Sequence, residues 1–170
     1  MDGLSGRLER AVEVLAAGAT PAALGSALHG PRHWRAVARV GAELARRTPG
    51  ADLELVLLFA FAHDTRRWHD GRDPDHGRRA AAAVRALAGA GVLDLSPERL
   101  RLLCRACAGH ADGLTSADPT IGACWDADRL NLWRVGVAPS RRLLSHPPRR
   151  PSGVAELKVV RRCYADSFNE

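Results

Sequence analysis

Residues 58–67 read LFAFAHDTRR. An apolar run carries without a break into His63 and Asp64, and two arginines follow. With the residues before it, ADLELVLLFAFAHD (51–64) opens on an acidic cap and is apolar on nearly every face. That pattern predicts a buried central helix rather than a surface one. Packing gives no reason for a histidine and an aspartate at the buried end of such a helix. An unpaired buried carboxylate is costly, so Asp64 needs a cation or a hydrogen-bond network.

Outward from this helix the chain reads as helical throughout. Apolar positions at helical spacing run over 4–17 (Leu4, Leu8, Val12, Leu15). A short helix over 21–28 has Pro21 at its first position and is ended by His29-Gly30-Pro31. An amphipathic helix over 33–47 is stopped by Thr48-Pro49-Gly50. After a polar loop over 66–75 come helices over 76–90, 97–110 and 120–136. Residues 145–153, SHPPRRPSG, read as a surface linker, and a last short helix is expected over 154–168. The division is an N-terminal helix (1–19), a core (20–137) and a C-terminal linker with a short helix packed on the core (138–170). The expected fold class is all-α, a single-domain helical bundle.

Composition agrees. The 170 residues suit one domain with one sizeable core. Ala, Leu and Arg dominate, and aromatic residues make up only 5%, which favours helix over sheet. The formal charge of +6 comes almost entirely from arginine. It suits an anionic partner such as a phosphate ester, a nucleotide or nucleic acid, or a coding bias that writes Arg for Lys. No run approaches the ~18 apolar residues that span a bilayer. The N-terminal stretch is amphipathic and charged, unlike a secretory signal. A cytoplasmic chain with reduced cysteines is expected. No phosphate-binding glycine loop, nucleophile elbow, dinucleotide fingerprint or nucleic-acid module is present.

The histidines carry the chemistry. His29 and His33 bracket the start of one helix, His63 and Asp64 end the buried one, His76 opens the next and His110 ends the one after. Asp126 and Asp128 lie in CWDADRL. Helix ends can converge on one cavity, and neutral imidazole with carboxylate suits Mn, Fe, Co, Ni or Zn, with Mg possible. A divalent cation would also stabilise ionised Asp64 in apolar surroundings. Cys104, Cys107 and His110 share one helical face, a spacing that fits small core cysteines better than a zinc site.

The order His33, His63-Asp64, Asp128 resembles the HD-domain superfamily of metal-dependent phosphohydrolases over roughly residues 20–137. FAFAHDTRR resembles its HD helix and WDADRL its distal metal aspartate. The stretches HGPRHW, HDTRRWHDGRDPDHGRRAA and DPTIGACWDADRLNLWRVG are similar to those of a bacterial subgroup, in which Asn131 would be an aspartate. The resemblance implies that His33, His63, Asp64 and Asp128 hold a first metal. In relatives with two metals the extra histidines fall where His76 and His110 do. Asp64 would then bridge ions about 3.5–4 Å apart. The alternative is one ion, with His76 and His110 on the substrate phosphate.

The activity so implied is hydrolysis of a small phosphorylated metabolite or nucleotide by a metal-activated water, with Asp64 orienting that water. His29, Arg32, Arg66 and Arg129 are the expected substrate contacts, Arg67 a solvated surface charge, and Asp126 a surface or supporting carboxylate. Two other readings stay open: a di-iron oxygenase of HD type that cleaves a C–C or C–P bond, and a nucleotide-binding sensor without catalysis.

Overall fold

The computed structural model describes residues 6–146. They form α1 (Gly6–Ala17), α2 (Pro21–Gly25), α3 (Pro31–Arg47), α4 (Leu53–Ala62), α5 (His76–Gly89), α6 (Pro97–Gly109) and α7 (Pro119–Leu130). Two 3-10 turns follow, Asn131–Val135 and Arg141–Leu143. No strand occurs among the described residues, and the all-α bundle expected from composition is what forms. Leu4, residues 147–153 of the expected linker and the helix expected over 154–168 lie outside the described residues.

Helix α4 is the centre of the bundle. The Asp52 carboxylate caps it, accepting from the Leu55 N–H at 3.1 Å. Leu55, Val56, Leu58, Phe59, Ala60 and Ala62 are all buried, because α1, α3, α6 and α7 pack around them. Each fully buried Leu or Phe side chain here contributes about 1.5–3 kcal/mol.

Two glycines set how closely the site-bearing helices approach. A Cβ on Gly41 of α3 would lie 2.6 Å from the Val56 methyl of α4, so only glycine lets these helices meet at this separation. A Cβ on Gly77 of α5 would run into the Cys107 carbonyl oxygen of α6. The first contact brings α3 against α4, and the second draws α5 onto α6. The histidines at those helix ends are pulled together as a result.

Helix ends depart from the expected boundaries for local reasons. The HD pair sits in the turn after α4, not on it: His63 N–H still bonds the Phe59 carbonyl at 3.0 Å, and Arg67 N–H bonds the Asp64 carbonyl at 3.2 Å. Thr65 closes the helix end with its hydroxyl on the Ala62 carbonyl at 2.8 Å. At the far end of the core, α7 stops at Leu130. The Asn131 side-chain amide donates to the Ala127 carbonyl at 2.8 Å and competes with the helical ladder there. Gly136, at φ 75°, ends the 3-10 turn that follows.

Candidate metal centre

Five helix ends deliver the cluster. His33 comes from the first turn of α3, His63 and Asp64 from the end of α4, His76 from the start of α5, His110 from the end of α6 and Asp128 from α7. The two oxygens of Asp64 divide it. On the Oδ2 side lie His63 Nε2 at 3.4 Å and His33 Nε2 at 3.7 Å, with Asp128 Oδ1 3.1 Å from His33 Nε2 and 3.8 Å from His63 Nε2. On the Oδ1 side lie His76 Nε2 at 3.1 Å and His110 Nε2 at 3.7 Å. These residues form overlapping groups of three whose ligand atoms lie within 4.8 Å of one another, so the cluster could hold a metal ion.

Backbone carbonyls fix the direction of three imidazoles. His63 Nδ1 meets the Phe59 and Ala60 carbonyls at 3.2 and 3.1 Å, His76 Nδ1 meets the Asp73 carbonyl, and His110 Nδ1 meets the Cys107 carbonyl at 2.8 Å. A carbonyl only accepts, so each Nδ1 donates to it, and each Nε2 is left to face the centre, where its lone pair is available to a metal. His76 Nε2 and His110 Nε2 then face each other at 2.8 Å, and His63 Nε2 faces His33 Nε2 at 3.3 Å. Nitrogens this close need a proton or a metal cation between them. The donor set could therefore hold a metal ion, with each bonded Nδ1 fixing the direction of its ring.

The charges point the same way. Burial opposes ionisation of Asp64, but His63, His110 and His29 override it and hold its carboxyl well below the usual range. Asp128 is also held low, against burial, by His33 and His63. Burial lowers His63 in turn, yet the Asp64 and Asp128 charges raise it overall. Burial dominates at His33 and pulls it down to about 4. Asp64 also follows the C-terminal end of α4, where helix carbonyls already favour positive charge. Two carboxylates in an apolar surround thus lean on His63 for compensation, a role that a bound cation would also fill.

The remaining expected residues are distributed unevenly. His29 does reach the centre: its Nδ1–H donates to Asp64 Oδ2 at 3.2 Å. Arg32 is exposed on the first turn of α3. Arg66 places its guanidinium where Gly18 leaves room at the end of α1. Arg129 is buried and donates to the Leu143 carbonyl, tying the 141–143 turn to α7. Asp126 is buried rather than on the surface, and accepts from the Ser145 and His146 N–H groups at 2.7 and 2.8 Å. Cys104, Cys107 and Cys124 are free, buried thiols whose pKa burial pushes up.

Arg67 is the correction. It is not a solvated surface charge but buried, with Nε 3.5 Å from Asp64 Oδ1 and with Nε and Nη1 lacking hydrogen-bond partners. Arg67 follows Asp64 by three residues, a spacing that returns a side chain to the same face of a turn. That signal was available in the sequence.

No protein-family model, curated protein or solved structure matches the chain. Among the described residues, no helix is long and apolar enough to cross a membrane.

Proposed function

We propose that the chain is a metal-dependent phosphohydrolase of HD type that acts on a small phosphorylated metabolite or nucleotide. One observation carries this reading: imidazole Nε2 atoms converge on both oxygens of a single buried carboxylate, Asp64. His33, His63, Asp64 and Asp128 would hold one divalent ion, and Asp64, His76 and His110 a second. A bound divalent metal supplies hydroxide near neutral pH and withdraws charge from a phosphoryl oxygen.

The chain's own groups do the rest. Asp64 holds the imidazoles on either side in register and orients the attacking water. Arg67 presents a guanidinium with two unbonded nitrogens beside Asp64 Oδ1, and it is suited to the charge that spreads over phosphoryl oxygens in the transition state. His29 keeps Asp64 Oδ2 hydrogen-bonded and lines the way in. Arg129, bonded to the Leu143 carbonyl, serves this reading as a support of α7 rather than a substrate contact.

A second reading uses the same six residues as the ligands of a di-iron oxygenase. It draws on the approach of His76 and His110 to the second oxygen of Asp64. Metal analysis of anaerobically purified protein, followed by assays for phosphate release and for dioxygen uptake, tests both. Phosphate release from p-nitrophenyl phosphate activated by Mn, Co, Ni or Mg supports the hydrolase. Two irons per chain with dioxygen consumption and no phosphate release would overturn it. Loss of one equivalent of metal in His76→Ala would identify the second ion's ligands.

A further inference from the structure

The cluster opens to solvent on one side. The side chains of His33, His63, Asp64, His76 and His110 are 0–4% exposed, whereas those of His29 and Asp128 are 19% and 20% exposed. Arg134 stands at that opening. Its Nε donates to the carbonyl of Leu28, the residue before His29, at 2.9 Å. Its Nη1 donates at 3.0 Å to the carbonyl of Asn131, three residues after Asp128. The guanidinium is thereby pinned between the loop entering α3 and the turn leaving α7.

Both partners are neutral carbonyls, so they orient the charge without cancelling it. They take two of the five N–H groups of a guanidinium, which leaves the rest for a ligand. Arg67 lies against Asp64 Oδ1, whereas His29 and His33 meet Oδ2. Two guanidiniums therefore flank the centre, one buried beside Asp64 and one at the opening.

We propose that Arg134 receives a second anionic group of the substrate at the opening while the reacting phosphate lies at the cluster beside Arg67. The substrate class is then a phosphate ester that carries a further anion, a carboxylate or another phosphate. Naming the reacting group as a phosphate rests on the phosphohydrolase reading.

The test uses the full chain loaded with Mn²⁺ and two ligands that differ only in a carboxylate, methylphosphonate and phosphonoacetate, with binding measured by titration calorimetry. Phosphonoacetate is expected to bind about tenfold tighter or more, the contribution of one charge-assisted hydrogen bond. Arg134→Gln should abolish that preference, leave methylphosphonate affinity within about twofold and keep the Mn content unchanged. No preference in the wild type, or a preference that survives in Arg134→Gln, overturns the assignment. If Arg134→Gln does not fold, Arg134→Lys decides: the retained charge should keep a preference of about threefold, and its loss overturns the proposal. An Arg134-dependent preference without any turnover of p-nitrophenyl phosphate would sink the hydrolase reading and leave Arg134 assigned.

Discussion

At the scale of single residues the centre is a problem of charge. Asp64 is ionised, buried and placed past the end of α4, where helix carbonyls disfavour a negative group. Replacing it removes the one atom pair shared by both halves of the cluster. Asp64→Ala is expected to retain no metal after desalting, measured by elemental analysis, while its helical circular dichroism persists. Full metal occupancy in that variant would refute its role as a ligand. Arg67→Gln should keep its metal but lose about 10²-fold or more in phosphate release, the scale of removing one transition-state donor. Undiminished turnover would make Arg67 only an ion-pair partner of Asp64. The His63-Asp64 pair was legible in the sequence because its desolvation cost is large and local. Arg67 was misread as a surface charge although its spacing of three from Asp64 carried the signal, and Arg134 was not read because it reaches the site through loops whose course the one-dimensional pattern does not set.

At the scale of elements, helix bodies were legible and helix ends were not. The apolar run of α4 and the amphipathic stripe of α3 are long periodic signals, so their existence follows from the pattern. Their ends are decided by single side chains competing for carbonyls, as Thr65 does after α4 and Asn131 does after α7. Close approach of helices was equally hidden, since it rests on what is missing at Gly41 and Gly77. Gly77→Ala tests this. Its new methyl would meet the Cys107 carbonyl oxygen and press α5 from α6. Strain of this kind costs about 1–3 kcal/mol, or a drop in Tm of about 2–4 °C per kcal/mol in a chain of this length. Because His76 and His110 lie on those two helices, the variant should also lose metal that wild-type protein retains. A thermal loss with unchanged metal content would show that the α5–α6 contact supports packing but not the site.

At the scale of the molecule, a metal held at this centre would act as a clasp. Its ligands come from five helices that are distant in sequence, and the unfolded chain does not hold them together. An ion that binds the folded state alone stabilises it by RT ln(1 + [L]/Kd), about 2.7 kcal/mol at a hundredfold excess over Kd. Adding Mn²⁺ to chelator-treated protein should therefore raise Tm by roughly 5–10 °C. The gain depends on pH with a fixed sign. Imidazole binds metal only when neutral, so protons compete for the Nε2 atom that His63 turns inward. Against burial, the Asp64 and Asp128 charges raise His63 overall, so the metal-dependent part of Tm should be complete near pH 8 and shrink as the pH falls and a proton displaces the metal there. His33→Ala removes an imidazole that meets both Asp64 and Asp128, and should lose most of the gain at every pH. Calorimetric Tm with and without Mn²⁺ across pH 5–8 reads all of this at once. A metal-induced shift that is absent, or that persists unchanged at pH 5, would mean that these five helix ends meet for packing and hydrogen bonding and not to hold an ion.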